Sequence, residues 1–235
     1  MKLKVKTGIL TTLVATGIAC LTFTSVSAAA APSPSPSPPG LSTLKAKAAI
    51  AISNREDRLT TLINAIDSNT SISTANKEVL LVELKNDKTG LLVLKTTIQS
   101  ESTLKACLPE VRSISTNYRV YLLEGPKVKL ILEAGNENTV ENNLSDLLSK
   151  AKTAINSSSS AKKVAAQNAY EDGINNLNAA QSLFSPVITT IIGLTHSQYP
   201  GANSILKSAT LSLSKSKNDL VKCRRDLLLI KRDLS

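Results

Sequence analysis

The last stretch of this chain places a leucine at every seventh residue, which limits its fold more than any other feature. The five positions are Leu206, Leu213, Leu220, Leu227 and Leu234, and Ala209, Ser216, Cys223 and Ile230 stand between them. This 3,4 alternation keeps one face of a helix against its neighbours. It predicts a long helix capped by Asn203 or Ser204, packed inside the protein or against a partner helix. Three of the four intervening residues are small, which favours several neighbours.

Spacings of three and four residues recur upstream and predict five further helices. They cover about 41–67, 73–100, 102–121, 128–157 and 164–188, followed by a loop at 195–203. Short loops between long helices require antiparallel neighbours. Aromatic residues make up only 3% of the chain, which suits aliphatic helix seams better than a β-sandwich. The predicted fold of residues 41–235 is therefore all-α, an elongated antiparallel helical bundle of five to six helices with coiled-coil-like seams.

The prolines make several helix boundaries ambiguous in the sequence. Pro109 either kinks the third helix or stands in its first turn, in which case that helix begins at Leu108. Gly125-Pro126 is expected to break the chain before the fourth helix. Pro186 either kinks the fifth helix or ends it at Ser185.

Residues 1–28 have the three parts of a secretory signal peptide. A lysine-rich start precedes an apolar run over about 9–23, and the small residues around Val26-Ser27-Ala28 suit cleavage after Ala28, with Ala30 as an alternative. Residues 29–40 contain PSPSPSPPG, which predicts an extended Pro/Ser-rich stalk because proline removes backbone donors and fixes φ.

The same N-terminal segment allows two other interpretations. Gly17-Ile18-Ala19-Cys20 is similar to a lipoprotein cleavage box, which would leave a lipidated Cys20. Residues 7–30, if uncleaved, are long enough to anchor the chain, because a spanning helix needs about 20 residues. A secreted or extracytoplasmic protein is the main prediction, and a membrane-anchored one is the alternative.

The positive charge is concentrated in the last predicted helix. Residues 203–235 hold eight basic and three acidic residues. Lys217, Arg224 and Lys231 lie on one side of the leucines, and Asp219, Asp226 and Asp233 lie on the other. This pattern is typical of coiled-coil flanks, and clustered cations also attract polyanions. The three basic residues are thus candidate polyanion or partner contacts. DNA-binding zippers place their basic region upstream of the seam, so no specific nucleic acid is expected.

Candidate catalytic chemistry is sparse. Cys107 and Cys223 are the thiols that remain after signal cleavage, and they are either a disulfide or two buried free thiols. His196 is the sole histidine and is expected to be a solvated loop residue. The glycines are isolated, so no phosphate-binding loop is predicted. We therefore expect no enzyme activity, no catalytic residue, no cofactor and no metal site.

Tyr118-Arg119-Val120-Tyr121, followed by Pro126-Lys127-Val128, resembles a segment of uncharacterised secreted α-helical proteins of bacteria. The resemblance covers most of the mature chain in layout and about a dozen positions in motif. It implies a helical fold and an exported location. It carries no catalytic residue across, because that family has no known activity.

These patterns predict an exported, non-catalytic envelope or cell-surface protein with a structural or interaction role. The alternative is a module that binds an anionic polymer or a membrane surface through its basic C-terminal helix. Its partner would then be an envelope polymer, a membrane surface or a partner helix.

The signal-peptide prediction has a direct test. Exported protein should begin near Ala29, because the small residues before it suit signal peptidase. Intact-mass measurement or N-terminal sequencing checks this. Membrane-bound material that retains Met1 would instead support the uncleaved anchor.

Overall fold

The structure is a computed structural model that describes residues 40–235. Six α-helices and no strand occur in this range. They are α1 (Leu41–Ser68), α2 (Thr74–Ser100), α3 (Leu104–Thr116), α4 (Gly125–Ser157), α5 (Lys163–Ile191) and α6 (Gly201–Leu234). The signal peptide, with its alternatives at Cys20 and 7–30, and stalk residues 29–39 lie outside the described residues. The predicted all-α antiparallel bundle is confirmed.

The bundle has two hydrophobic cores. The first core lies between α1, α2, α3, the N-terminal halves of α4 and α6, and the C-terminal half of α5. The second core contains only the other halves of α4, α5 and α6. Six helices therefore surround the first core, and three surround the second.

A buried polar layer separates the two cores along α4 and α6. Glu137, Glu141 and Ser216 are 4%, 9% and 0% exposed, and they follow the last first-core residues of their helices. The second core resumes at Leu144 and Leu220. Burial raises the pKa of both glutamates.

The leucine repeat of α6 is only partly the buried seam. Leu206, Leu213 and Leu220 are buried, whereas Leu227 and Leu234 are half-buried. A three-residue step from Cys223 to Asp226 shifts the buried face off the leucines.

Asp226 and Asp233 are also buried, which corrects the prediction that they flank the leucine seam. Asn176 of α5 donates to Asp226 Oδ2 at 2.8 Å. A Cβ on Gly173 would lie 3.0 Å from Leu148 Cδ2 but 3.7 Å, an ordinary contact distance, from Asp226 Cβ, so this glycine lets α4 rather than α6 approach α5 closely.

Two boundary predictions around the third and fourth helices were wrong. The third helix ends at Thr116, so Tyr118 and Tyr121 lie outside it, and residues Val120–Glu124 form a π-helical turn that leads directly into α4. The Arg119 carbonyl causes this turn by accepting hydrogen bonds from the amides of residues 122, 123 and 124. Gly125-Pro126 therefore starts α4 instead of breaking the chain.

The loop predicted at 195–203 is shorter than expected. It contains a 3-10 turn, His196–Gln198, in which the Gln198 side chain accepts from the Thr195 amide at 2.8 Å. The last helix begins at Gly201, directly after Pro200. Pro109 and Pro186 lie inside α3 and α5, which continue past them because buried residues on both sides pack into the first core.

No helix among residues 40–235 has both the length and the apolar character needed to cross a membrane.

Gly135 of α4 is packed against the turn between α1 and α2. A Cβ there would lie 2.8 Å from the Ser71 carbonyl oxygen and 2.6 Å from Ile72 Cγ2. Replacement by alanine should lower stability by about 1–2 kcal/mol, because the clash outweighs the gain of about 1 kcal/mol in helix propensity.

Thermal or urea unfolding measures this change. Gly201→Ala is the matched control, since nothing lies within 4 Å of its added Cβ. Stabilisation by both substitutions would contradict the packing of this turn on α4.

Candidate functional site

An ionic cluster joins four segments of the chain at one edge of the first core. Its members are Glu83 and Asp87 of α2, Glu124 of the π-helical turn, Lys127 of α4 and His196 of the 3-10 turn. Glu124 and Lys127 are fully buried, and the other three side chains are 13–23% exposed. Each element is placed by the apolar residues around it, so the cluster is a product of the tertiary fold.

Lys127 is paired mainly with Glu83. Its Nζ lies 2.5 and 2.6 Å from the two carboxylate oxygens of Glu83 and donates to the Leu194 carbonyl at 2.9 Å. Glu124 Oε2 is 3.5 Å away. A buried ammonium needs such partners because burial without them carries a large desolvation cost.

His196 is held on both sides of its ring. The Arg119 amide donates to Nδ1 at 3.2 Å, and Nε2 lies 2.9 Å from Asp87 Oδ2. In the neutral ring, a donor at Nδ1 places the proton on Nε2, directed at Asp87. The prediction of a solvated loop histidine was wrong, because the connection between α5 and α6 folds back onto α2.

Glu124 is the least satisfied member of the cluster. Neither of its carboxylate oxygens has a hydrogen-bond partner, although Oε1 lies 3.7 Å from His196 Nε2. Burial raises the pKa of Glu124 to about 7, against the lowering effect of Lys127. Burial alone would lower the pKa of His196, but the hydrogen bond and charge of Asp87, with the charges of Glu124 and Glu83, raise it.

Residues 118–121 contact α1, α2 and the residue after the 3-10 turn, next to this cluster. A Cβ on Gly90 of α2 would clash with the Tyr118 side chain, and the Arg119 guanidinium stacks 4.3 Å from the centre of the Tyr199 ring. Tyr121 donates its hydroxyl to the Asn54 carbonyl at 3.0 Å. These residues fix the π-helical turn and its contact with the 3-10 turn.

A groove of about 650 Å³ opens beside the cluster, between α2 and the connection from α5 to α6. Its walls include Glu78, Val82, Asp87 and His196. Asp87, Glu124 and His196 offer one nitrogen and two oxygen ligand atoms, all within 4.8 Å of one another. The arrangement is suited to holding protons or a cation, and the groove gives solvent access to Asp87 and His196.

A second groove lies between α4 and α6 beside the second core, with a volume of about 580 Å³. This basic groove is lined by Leu144, Leu147, Lys150, Ala151, Ala154, Arg224, Leu227, Leu228, Ile230, Lys231, Leu234 and Ser235. It unites the predicted contacts Arg224 and Lys231 and adds Lys150. Lys217 lies apart, on α6 near the first core, and pairs with Glu133 at 2.9 Å.

The structure has Cys107 and Cys223 as free, buried thiols. They belong to different hydrophobic cores. Of the two alternatives drawn from the sequence, the structure therefore has the two buried free thiols and not the disulfide. Burial, with the charges of Asp226 and Glu141, raises the pKa of Cys223 to about 11, so this thiol stays protonated.

The raised pKa of Glu124 predicts a pH-dependent stability. The folded state binds this proton more tightly than the unfolded chain, so the contribution of Glu124 to stability is largest below pH 4.5 and is lost as the pH rises through 7. The loss is on the order of 3 kcal/mol for Glu124. The pKa of His196 is raised as well, so the contribution of His196 to stability is also lost as the pH rises above 6.5.

Glu124→Gln should therefore reduce the stability difference between pH 5 and pH 8 by about 3 kcal/mol. Urea unfolding at both pH values, with a chelator present, measures it. Glu78→Gln is the control, since Glu78 is exposed on the same groove. An unchanged pH dependence in Glu124→Gln would contradict the assignment.

Comparison of the chain with family models, with curated proteins and with solved structures gave no match. The resemblance carried by residues 118–128 therefore stays a prediction.

Proposed function

We propose that this protein is an exported, non-catalytic binding protein that attaches to anionic lipid surfaces through the basic groove. The observation that carries the proposal is an apolar groove with three cations at its rim. No aspartate or glutamate lines it among residues 40–235. The proposal narrows the envelope or surface role to one interaction and leaves a purely structural role as the alternative.

The exposed leucines of the groove support a lipid partner over a soluble polyanion. Leu147 is 48% exposed and Leu228 is 61% exposed, on opposite sides of the groove. A soluble polymer would use the cations but leave these leucines in water. A lipid surface offers both anionic headgroups and an apolar layer, and long basic side chains can reach the headgroups while leucines enter that layer.

The expected attachment is weak and reversible. Each basic residue near an anionic membrane contributes about 1 kcal/mol, and complete burial of a leucine contributes about 1.5–3 kcal/mol. Three cations and two half-exposed leucines together give roughly 5 kcal/mol, which corresponds to a Kd of about 0.2 mM. Such affinity suits a peripheral protein whose location is also set by another signal, such as the predicted stalk or anchor.

Absence of catalysis is part of the same proposal. Lys127 and Asp87 are engaged with Glu83 and His196, and Glu124 lies behind the wall of the first groove. Lys127 and Asp87 thus already have partners inside the cluster, in keeping with a structural or binding role.

Co-sedimentation with vesicles tests the proposal. The protein should partition onto vesicles rich in anionic phospholipid at low salt, and salt should weaken the binding. Arg224→Gln or Lys231→Gln should each reduce partitioning about fivefold, the equivalent of about 1 kcal/mol. Leu228→Ser should reduce it without changing the salt dependence.

Lys217→Gln is the matched control, because it removes the same charge from the same helix outside the groove. An equal loss in Lys217→Gln and Arg224→Gln would show a general charge effect and contradict the groove. Equal partitioning onto zwitterionic vesicles would contradict an anionic partner. Binding to soluble polyanionic polymer but not to vesicles would replace the lipid with a polymer.

A further inference from the structure

We propose that Asp87, Glu124 and His196 bind one divalent transition-metal ion, with Zn²⁺ as the best-suited probe. The three residues come from α2, the π-helical turn and the 3-10 turn, so a bound ion would tie together segments that are distant in sequence. The site is independent of the basic groove and of its lipid partner.

The distances between the ligand atoms suit such an ion. His196 Nε2 lies 2.9 Å from Asp87 Oδ2 and 3.7 Å from Glu124 Oε1. Ligand atoms around a tetrahedral Zn²⁺, at about 2.0–2.1 Å from the metal, are about 3.3–3.4 Å from each other. Shifts of about 0.4 Å would bring these two separations to that value, and the third separation, between the Asp87 and Glu124 oxygens, is within 4.8 Å. One imidazole nitrogen with two carboxylate oxygens is a ligand set that zinc accepts.

The second, independent observation is the carboxylate of Glu124. It is fully buried, and neither oxygen accepts a hydrogen bond. Buried carboxylates are normally paired, hydrogen-bonded or bound to a metal. The nearest cation, Lys127, is already engaged by both oxygens of Glu83 and by the Leu194 carbonyl.

The charge balance of the ionic cluster also favours a divalent cation. Glu83 and Lys127 neutralise each other, so when Glu124 is ionised and His196 is neutral, Asp87 and Glu124 leave two negative charges in the cluster. A divalent ion would neutralise the cluster. Two protons would do the same, so protons and metal should compete for the site.

Metal binding requires one local change at His196. A metal on Nε2 needs the imidazole proton on Nδ1, where the Arg119 amide now donates at 3.2 Å. That hydrogen bond must be given up, and three metal–ligand bonds replace it. Asp87 and His196 line the first groove, so a fourth ligand, such as water, would reach the ion from that side.

Titration of metal-free protein with Zn²⁺ tests the proposal. One ion per chain should bind with a Kd below about 10 µM at pH 7.5, and the melting temperature should rise with Zn²⁺ concentration. Glu124→Gln and Asp87→Asn should each weaken binding at least tenfold. Glu78→Gln, an acid on the same groove outside the ligand set, should leave the Kd unchanged.

Co²⁺ provides a second readout that does not depend on a variant. Cobalt in this site should show the visible absorption of a four-coordinate nitrogen and oxygen site, without a thiolate band, since both cysteines are buried elsewhere. Failure of the wild-type protein to bind one equivalent of Zn²⁺ overturns the proposal. So does unchanged affinity in Glu124→Gln, or a thiolate band with Co²⁺.

Discussion

The packing of α6 against α5 and α4 is the contact on which the rest of the structure depends. These three helices are the only ones that contribute to both hydrophobic cores of the described residues. α6 is 34 residues long, about 51 Å at the helical rise of 1.5 Å per residue, so it runs along both cores. Because α4, α5 and α6 are consecutive, their antiparallel order fixes which halves meet. It places the α5–α6 connection beside α2 and the C-terminal half of α6 beside α4.

The architecture could be predicted from sequence because aliphatic residues recur at helical spacing throughout residues 41–235. The site could not, because its members are far apart in the chain. His196 was predicted to be solvated, and the sequence pattern indicated no role for Glu83, Asp87 or Glu124. A signal was present nevertheless. Asp87 occupies the seam position between Leu84 and Leu91 on the buried stripe of α2, and Lys127 stands between Leu123 and Ile131. Ionisable residues at seam positions indicate buried charge, although they do not show which segments supply the partners.

The prediction for α6 failed for a similar reason, because contacts with another helix decide which of its residues are buried. A strict seven-residue leucine repeat implies that the leucines stay on the buried face along the whole helix. After Cys223, however, the buried face follows Asp226 and Ile230. The cause lies on another helix, where Asn176 of α5 supplies a hydrogen-bond donor to the buried Asp226. This shift turns Leu227, Leu228 and Leu234 outward enough to line the basic groove. The groove is thus a consequence of tertiary packing that the periodicity of one helix does not contain.

The polar layer of Glu137, Glu141 and Ser216 has a consequence for how the molecule unfolds. Apolar contact between α4 and α6 is interrupted there, and the second core has fewer buried residues and three helices instead of six. Regions with fewer buried apolar neighbours open at lower free energy than the global transition. Amide hydrogens near the second core should therefore exchange faster than those of the first core. The half that carries the basic groove should then open at lower free energy than the half that carries the ionic cluster.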